Sequence, residues 1–529
     1  MRTPGYEKLA ISFLLPYFAL AASGATLNAK EFGAKADGRT ADRDPINKAI
    51  EAAAAAHGGT VYFPAGTYLT GSIHLRSDVA LQFEPGTVIL ASEDPAAYDE
   101  AEPNSLTKFQ DFGHSHWHNS LFWGENLSNV LITGKGLING KALTREARTT
   151  GGNKAIALKL CRNVTIRDVS ILSGGHFGIL ATGVDNLTID NLTIDTNRDG
   201  IDIDGCHNVR LSNLNVNSPN DDAIVLKASH ALGFRRATEG VTITNSFVSG
   251  YDMGTMLDGS YGRELKKAPD RDGPTGRVKI GTESEGDFRN ITISNIVFEH
   301  SRGLALESVD GAHIEDVAIS NITMRDVSNS PIFIRLGSRM RAPEGTPPGS
   351  IRRVIISNLS ASDADGRYAS IISGIPGNDV EDITLENIRL QYRGGLTLEQ
   401  AADQPADLVN TFFFRASGGV PKRQPYDVPE REKEYPEPSM FGLLPAYGLY
   451  IRHAKGVDVR NLSVSYLKDD SRAAFVVDSA REIRFEDVKW QKSNGTPSFV
   501  MRRVENIIGA QCPPLPDFKI EGQTDRILQ

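Results

Sequence analysis

Three stretches decide the fold: NVTIRDVSI from Asn163, NLTIDNLTI from Asn186 and NVRLSNLNV from Asn208. The same pattern of residues therefore returns after 23 residues and again after 22. Each stretch alternates aliphatic and polar residues and is rich in Val, Ile, Leu and Thr, which is typical of β-strands. A β unit of about 22 residues is too short for a propeller blade and predicts one coil of a parallel β-helix.

Eight further copies extend this repeat along the chain, and they begin at Asn129, Gly240, Asn290, Asp316, Arg353, Asp382, Gly456 and Glu482. We therefore predict an all-β chain that forms a right-handed parallel β-helix of about ten coils. Asparagine at a fixed place in the coil suits the bends between strands. It tolerates left-handed backbone, and its side chain can hydrogen-bond to the same residue of the next coil.

The repeat also defines the domain organisation. Residues 26–100 are predicted to form an N-terminal cap and the first coils, with a capping helix around residues 44–56. Residues 101–510 form the β-helix, and residues 511–529 a C-terminal tail. Two insertions interrupt the repeat at residues 249–275 and 392–448. Insertions of this length in a compact repeat fold usually form functional walls or lids.

Composition and the N-terminus limit the protein's partners and location. The 529 residues carry a formal net charge of −9, which argues against a nucleic-acid partner. Residues 1–25 resemble an export signal, because Arg2 and Lys8 precede an apolar run at residues 9–22 that ends in small residues. We expect a secreted or periplasmic monomer with no membrane attachment after cleavage. An uncleaved anchor is the alternative.

The three cysteines do not form a predicted disulfide framework. Cys161 and Cys206 each precede a repeat asparagine by two residues, so they lie two coils apart, at about 10 Å. That separation is too long for a disulfide. With Cys512, they are predicted to be free buried thiols and not zinc ligands.

Two acidic segments carry the predicted chemistry: Asn197-Arg198-Asp199 and Asn220-Asp221-Asp222. Asp199 and Asp221 are 22 residues apart, which predicts that they stack within about 5 Å on adjacent coils. Two carboxylates that close repel each other, which raises the pKa of one and provides the acid and base that glycoside hydrolysis requires. Asp222 joins them only at a bend, which Pro219 supplies. Solvated turn aspartates and a calcium site are the alternatives. Asp202 and Asp204 are expected to face solvent or brace the bend.

These two segments resemble the Asn-Thr-Asp and Gly-Asp-Asp motifs of glycoside hydrolase family 28, the polygalacturonases and rhamnogalacturonan hydrolases. The opening KEFGAKADG and the later Ile280-Gly281-Thr282-Glu283 are similar to that family too, so the resemblance spans about residues 30–325. It implies a pectin-lyase-like β-helix, a pectic substrate, inverting hydrolysis and no cofactor or metal. It makes Asp221 the general acid, gives Asp199 and Asp222 the activation of water, and places Lys227 against substrate.

Two departures from the family bear on the substrate. Thr275-Gly276-Arg277 stands where polygalacturonases have Gly-His-Gly, and Ala305-Leu306-Glu307 stands where they have the Arg-Ile-Lys that grips galacturonate. Losing a cation beside a carboxylate disfavours galacturonate there and favours a neutral sugar such as rhamnose. A rhamnogalacturonan-directed member is therefore expected. Displaced substrate contacts are predicted at Arg277, Lys279, Arg302 and Arg335, with extra acids at Glu283 and Glu307.

Two further segments are candidate walls of a substrate groove. FQDFGHSHWHNSLFW at residues 109–123 places histidines 114, 116 and 118 in alternation on one face of a predicted strand. This indicates either a metal site or, as we favour, a wall in which His116 and Trp117 contact a sugar. Residues 435–441 are predicted to close one end of the groove, and a closed groove implies exo action on chain ends.

Two other functions remain open on these residues. A β-helical polysaccharide lyase would cleave uronates by elimination. A non-catalytic β-helix would act as an adhesin or a carbohydrate-binding module.

Overall fold

A computed structural model describes residues 24–264, 272–417 and 419–529. Within these ranges the chain winds as a right-handed parallel β-helix, as the repeat predicts, and its strands stack into three parallel walls. The predicted export signal falls on residues 1–25, of which 1–23 lie outside the described residues, so it stays a prediction. Among the described helices, none is long and apolar enough to cross a membrane.

The first wall, here called the site sheet, carries the candidate functional residues. Its separate strands are Ile73–His74, Ser120–Glu125, Lys154–Lys159, Phe177–Thr182, Asp199–Asp204, Ile224–Ala228, Val278–Ser284, Leu304–Ser308, Ile332–Leu336 and Ser370–Ser373.

The second and third walls begin as separate strands. The second wall starts with Ala25–Asn28, Gly59–Phe63, Val79–Phe83, Ser128–Gly134, Arg162–Arg167, Asp185–Asp190 and His207–Ser212. The third starts with Asp37–Ala41, Gly66–Thr70, Thr87–Ala91, Leu137–Asn139, Ser170–Leu172, Thr193–Asp195 and Asn215–Asn217.

Later coils merge these walls into long bent strands. Five strands run through the second and third walls: Thr238–Ser249, Phe288–Ser301, His313–Val327, Ser350–Ala364 and Val380–Gly394. Ala446–Lys468, Ala473–Trp490 and Phe499–Ala510 also extend into the site sheet. The last two strands, Phe518–Ile520 and Thr524–Leu528, pair antiparallel with Phe499–Ala510. The predicted C-terminal tail therefore covers the open edge of the final coil.

Helices are short and lie outside the coils. The α-helices are Arg43–Ala55, Thr255–Asp258 and Leu398–Asp403, and the 3-10 helices are Ala29–Phe32, Pro95–Ala97, Phe112–Ser115, Thr411–Ser417 and Pro438–Phe441. The first of these helices buries Ile46, Ala49, Ile50 and Ala53, one face at helical spacing, against the first coils. It is the capping helix that the sequence predicts.

The interior is a stack of aliphatic side chains in register from coil to coil. Val164, Leu187, Val209 and Val241 lie directly opposite one another on successive strands, and all are buried. A strand pattern with apolar residues at every second position places this row inside the helix and its polar neighbours outside.

Asparagines form ladders at the bends, as predicted. Asn163 donates a side-chain hydrogen bond to Asn129 at 2.9 Å, Asn186 to Asn163 at 2.9 Å and Asn208 to Asn186 at 2.7 Å. All four have left-handed backbone, with φ between 54° and 59°. A second ladder runs along the later coils through Asn245, Asn295, Asn321, Asn358, Asn387 and Asn461.

The cysteines are free and buried, as the coil spacing predicts. Arg162 pairs with Asp185 and Asp185 with His207, so Cys161 and Cys206 lie two coils apart. Their thiols contact backbone carbonyl oxygens of neighbouring strands.

Candidate active site

Three aspartates meet at adjacent strands of the site sheet. Strand Asp199–Asp204 pairs with Ile224–Ala228, and Ile201 lies opposite Ile224. This step is 23 residues, so Asp199 lies level with Asp222, whereas the 22-residue spacing predicts Asp221. The backbone N–H of Asp222 donates to Asp199 Oδ1 at 3.1 Å. One oxygen from each of Asp199, Asp221 and Asp222 lies within 4.8 Å of the other two.

A bend that is held by hydrogen bonds turns the side chains of Asp221 and Asp222 toward the same cavity. Ser218 Oγ donates to the carbonyl oxygen of Arg198 at 2.7 Å, and the side chain of Asn220 donates to Asn197 Oδ1 at 2.7 Å. The N–H of Gly276 donates to the carbonyls of Ser218 and Asp221. Adjacent strand residues would otherwise point to opposite faces, so this bend before strand Ile224–Ala228 is what makes the three-carboxylate cluster.

Two of the aspartates are in opposite charge environments. Burial, together with Asp202 and Asp221, raises the pKa of Asp199 well above its usual range. Burial also acts on Asp222, but Arg277 Nε at 2.5 Å and Lys279 Nζ at 2.9 Å outweigh it and lower the pKa of that carboxyl. The site thus holds one carboxyl group that favours the proton and one that favours ionisation.

The third aspartate contacts an arginine that the sequence reasoning missed. Arg198 Nη2 contacts Asp221 Oδ2, and both side chains line the same cavity. The available signal was the segment Asn197-Arg198-Asp199, in which arginine stands at the place of threonine in the family motif.

Lys227 is enclosed by acidic groups beneath the aspartates. Its Nζ lies 2.9 Å from Asp202, 3.3 Å from Glu283 and 3.5 Å from Asp199. Burial alone would lower the pKa of Lys227, but these carboxylates raise it well above its usual range. Burial would likewise raise the pKa of Glu283, but Lys227 holds it well below its usual range. Lys227 and Glu283 both line the cavity, as predicted substrate contacts should.

Asp202 and Asp204 are corrections to the sequence reasoning. Both are buried, whereas one option placed them in solvent. Asp202 binds Lys227, and Asp204 accepts hydrogen bonds from the N–H and Oγ of Ser229 at 2.7 and 2.6 Å. Their side chains do point away from the core, but on the outer face of the site sheet Lys227 covers Asp202 and Ser229 covers Asp204.

Oxygen and nitrogen atoms of His114, Asp199 and Asp202 are close enough together to bind a metal ion. However, Lys227 Nζ lies 2.5 Å from His114 Nε2 and 2.9 Å from Asp202. The lysine ammonium therefore serves as the counter-ion of this cluster.

A second layer of charges lies behind Asp222. Glu437 pairs with Arg277 at 2.9 Å and with Arg302 at 2.8 Å. Glu307 is fully buried, 3.8 Å from Arg277 and 3.7 Å from Lys279, and burial raises its pKa to about 7. Of these predicted substrate contacts, Lys279 lines the cavity, while Arg277, Arg302 and Glu307 support it from behind.

Arg335, Trp117 and His116, which were also predicted to contact substrate, do not line the cavity either. Arg335 is buried and donates to Ser373 Oγ at 2.7 Å and to the carbonyl of Glu430 at 2.9 Å, so it anchors the second insertion. Trp117 is fully buried, and its indole N–H donates to Thr182 Oγ1 at 3.1 Å, which leaves no face for a sugar.

The ring of His116 contacts the carbonyl of Phe112 at 2.8 Å. The expected strand is in fact the 3-10 helix Phe112–Ser115, so the three histidines diverge. His114 points into the site, and His118 pairs with Glu125.

The aspartates open into a cavity of about 220 Å³. The second insertion contributes to its wall, and Tyr435 Oη accepts a hydrogen bond from Lys279 Nζ at 3.2 Å. His114 and Glu437 line the cavity and belong to the predicted wall segments 109–123 and 435–441. Lining residues outside the predicted segments are Arg145, His176, Arg341, Phe412 and Phe413. Loop residues of this kind have no period, so their arrival at the site could not be predicted from the repeat.

Comparisons with known proteins find similarity to enzymes named for pectic substrates. A family model described as rhamnogalacturonase A/epimerase, pectate lyase-like, matches residues 26–225. An exo-poly-α-D-galacturonosidase from Dickeya chrysanthemi is 24% identical over 415 residues, which cover 73% of this chain and 66% of that protein. The match thus spans just under two thirds of the relative's length.

Two solved structures share the fold. An exopolygalacturonase from Thermotoga maritima superposes with a TM-score of 0.57 at 21% identity, over 70% of this chain and 87% of that one. A family 28 exopolygalacturonase from Yersinia enterocolitica gives a TM-score of 0.57 at 16% identity, over 92% and 79%. In its β-helix, its three clustered aspartates and these relatives, the chain is similar to the polygalacturonases of glycoside hydrolase family 28.

Proposed function

We propose that this chain is a glycosidase that hydrolyses galacturonate-containing pectic chains from one end, with inversion at the anomeric carbon. The observation that carries the proposal is the meeting of Asp199, Asp221 and Asp222 in one cavity, with oxygens within 4.8 Å of one another. Glycoside hydrolysis needs a carboxylic acid and a carboxylate on either side of the scissile bond. The relatives named as polygalacturonases and exo-galacturonosidases support the same chemistry.

The roles follow from charge and access. Asp222, which Arg277 and Lys279 keep ionised, is the base that takes a proton from the attacking water. Asp221 is the acid that protonates the leaving glycosidic oxygen. The raised pKa of Asp199 would favour it as the acid. However, one of its oxygens accepts from the Asp222 N–H and the other lies 3.5 Å from Lys227, whereas Asp221 is the most exposed of the three. Asp199 therefore holds the water beside Asp222.

Exo action is supported by the closed shape of the site. A cavity of about 220 Å³ is smaller than the roughly 300–1,000 Å³ of pockets for drug-sized ligands, and suits about one sugar unit. Tyr435 and Glu437 of the second insertion lie against Lys279 and Arg277 and limit the cavity on that side. A polymer would then enter by its end.

The sugar in the closed end is proposed to be neutral. Lys279 and Arg277 are already bound to Asp222, and Lys227 to Asp202 and Glu283, so these cations are neutralised within the protein. A rhamnose unit linked to galacturonate fits this arrangement better than a galacturonate in the closed end. Rhamnogalacturonan is therefore the proposed substrate, and polygalacturonate the alternative.

Product analysis on rhamnogalacturonan and homogalacturonan side by side tests the proposal. We expect monosaccharide as the early product, faster release from rhamnogalacturonan, and loss of turnover in Asp221→Asn. Early oligomers of mixed length would contradict exo action, and unchanged release in Asp221→Asn would contradict the acid assignment. A β-helical lyase would instead release an unsaturated uronate. The conjugated double bond of that product would be detected by its ultraviolet absorbance.

Stereochemistry needs its own measurement. Two-carboxylate inverting sites usually separate the groups by about 6.5–9.5 Å, and retaining sites by about 5–5.5 Å. The close oxygens here thus resemble retaining spacing, but the third carboxylate lets a water lie between Asp199 and Asp222. Proton NMR of the first-formed anomer is expected to show inversion, and a retained anomer would overturn it.

Export is a separate proposal that rests on residues 1–25, and the N-terminal sequence of the mature protein checks it.

A further inference from the structure

Two arginines line the cavity at its mouth, and the proposed mechanism uses neither of them. The side chains of Arg145 and Arg341 are 41% and 39% exposed. Both face one carboxylate: Arg145 Nη2 lies 3.0 Å from Asp111 Oδ2, and Arg341 Nη1 lies 3.7 Å from Asp111 Oδ1. Arg145 and Arg341, here called the arginine rim, thus share a single aspartate, and a further anion is favoured between them.

Arg341 is the less tightly paired of the two. Its guanidinium lies 3.7 Å from Asp111 and 3.8 Å from Glu283, which are ion-pair distances longer than hydrogen bonds. Glu283 itself is closer to Lys227, at 3.3 Å. Within the part of the chain that the structure describes, the Arg341 guanidinium donates no hydrogen bond. Its planar set of N–H donors therefore suits a carboxylate that enters from solvent.

The loop that carries Arg341 is held in place by its neighbours. The N–H of Arg341 donates to Asp310 Oδ1 at 2.8 Å, and Arg339 Nε donates to the same oxygen at 3.0 Å. Arg339 also donates to the carbonyl of Thr282 at 2.9 Å, and its side chain is only 7% exposed. Arg339 therefore anchors the loop, whereas Arg341 extends from a fixed backbone to the mouth of the cavity.

Exposure orders the site from its base to its mouth. The side chain of Asp222 is 2% exposed, that of Asp199 6% and that of Asp221 11%. The proposed general acid, Asp221, is thus the aspartate nearest the mouth. A general acid protonates the oxygen of the leaving sugar, so the leaving sugar lies on the mouth side of the scissile bond. A galacturonate in that position brings its carboxylate to the arginine rim.

Resting on the proposed function, we propose that the arginine rim is the subsite that binds the carboxylate of the leaving galacturonate. Arg341 provides the main contact, through two N–H donors to the two carboxylate oxygens, and Arg145 provides a second positive charge. The closed end of the cavity takes a neutral sugar and the rim takes an acidic one. The enzyme therefore selects chain ends in which rhamnose is outermost and galacturonate is next.

The first test compares two substrates that differ only in charge at the rim: a galacturonate that carries a terminal rhamnose, and its methyl ester. In the wild type we expect kcat/KM to be about ten-fold higher for the acid, because the ester cannot form charge-assisted hydrogen bonds to a guanidinium. Arg341→Gln should bring the acid close to the ester and leave the ester unchanged. The loss should lie in KM and not in kcat, since the carboxylate takes no part in bond cleavage.

Two further variants control for nonspecific effects of charge. Arg210 lies on the outer face, where it contacts Asn208 and Thr188, so Arg210→Gln removes a cation away from the cavity and should behave as the wild type. Asp111→Asn removes the carboxylate that competes for the rim. It should raise the preference for the acid by about two- to five-fold, the effect of one exposed ion pair. A reduced preference in Asp111→Asn would contradict the inference.

The outcomes separate the rim from the function it rests on. An acid preference in Arg341→Gln equal to that of the wild type, or an equal loss on acid and ester, overturns the role of Arg341 while Asp221→Asn remains inactive. Full hydrolysis by Asp221→Asn, or no hydrolysis of either substrate by the wild type, overturns the proposed function and the inference with it. Thermal melting shows that each variant is folded. Arg341→Lys keeps the charge without the planar donors and should retain part of the preference, which provides the comparison if Arg341→Gln does not fold.

Discussion

Single residues in this site are defined by the charges around them more than by their place in the repeat. The meeting of Asp199, Asp221 and Asp222 was predictable, because the coil length is a local property of the sequence. The burial of Asp202 was not. Alternation correctly turns it away from the core, but Lys227 and His114 cover its side chain on the outer face of the sheet. Which acid favours the proton depends on neighbours such as Arg277, which lies 55 residues from Asp222 in the chain.

Glu307→Gln is expected to stabilise the protein at neutral and alkaline pH. Burial raises the pKa of Glu307 to about 7, whereas an exposed glutamate has a value of about 4.3. A carboxyl group whose folded pKa is raised binds its proton more tightly in the native state. Its contribution to stability is therefore complete below the unfolded pKa and falls as pH rises toward 7. Glutamine stays neutral, so the melting temperature of the variant should exceed that of the wild type more at pH 8 than at pH 5.

Glu315→Gln is the matched control, with the opposite sign. Arg352 and Arg353 lower the pKa of Glu315 against the effect of its partial burial. Its contribution is present above the unfolded pKa and is lost as pH falls, so this variant should lose stability at pH 8 and little at acid pH. A Glu307→Gln melting temperature that tracks that of Glu315→Gln would contradict the charge state assigned to Glu307.

At the scale of elements, strands and bends were the most predictable part of the molecule. Period-two alternation gave the strands, and asparagine at a fixed position gave the bends. The register at the site was wrong: Asp199 lies opposite Asp222 and not opposite Asp221. The bend at residues 218–220 adds one residue to that coil. The strand expected at residues 114–118 was wrong, since alternating histidines do not distinguish a strand from the 3-10 helix Phe112–Ser115 and the irregular backbone that follows it.

Asn186→Ala is expected to destabilise the protein more than Asn186→Gly does. Asn186 donates to Asn163 and accepts from Asn208, and its φ of 57° is left-handed. Either change removes both hydrogen bonds, which contribute about 1 kcal/mol each or less at an exposed site. Alanine also pays about 1–2 kcal/mol for left-handed backbone, which glycine adopts freely. Thermal melting should rank wild type above Asn186→Gly above Asn186→Ala, and equal losses would show that backbone conformation contributes nothing.

At the scale of the whole molecule, the β-helix is a scaffold on which distant segments complete the site. The sequence predicts where the insertions leave the coils, because they interrupt a regular repeat. It also predicts that residues 435–441 reach the groove, but it does not predict that Phe412 and Phe413 do, since a loop without a repeat has no period from which to place them. Solenoid coils contact mainly their neighbours, so such loops connect coils that do not touch each other directly.

Removal of residues 516–529 is expected to cause self-association. Strands Phe518–Ile520 and Thr524–Leu528 pair antiparallel with Phe499–Ala510 and cover the edge of the last coil. Without them that strand presents unpaired N–H and C=O groups to other chains. Light scattering on a sizing column should show higher masses for the truncated chain than for the full chain at equal concentration. An unchanged mass, with the β-sheet circular dichroism retained, would mean that the tail does not protect this edge.

The salt bridge between Glu437 and Arg277 joins residues 160 positions apart, and this sets an order of events during synthesis. The ribosome has made all three aspartates well before it reaches Glu437. At about 5–20 residues per second, Arg277 waits roughly 8–32 seconds for its partner. A nascent chain can therefore wind its early coils and align its carboxylates while Arg277 and Arg302 still lack the carboxylate of Glu437. The enzyme becomes complete only when one of the last loops to be translated closes over one of the first structures to form.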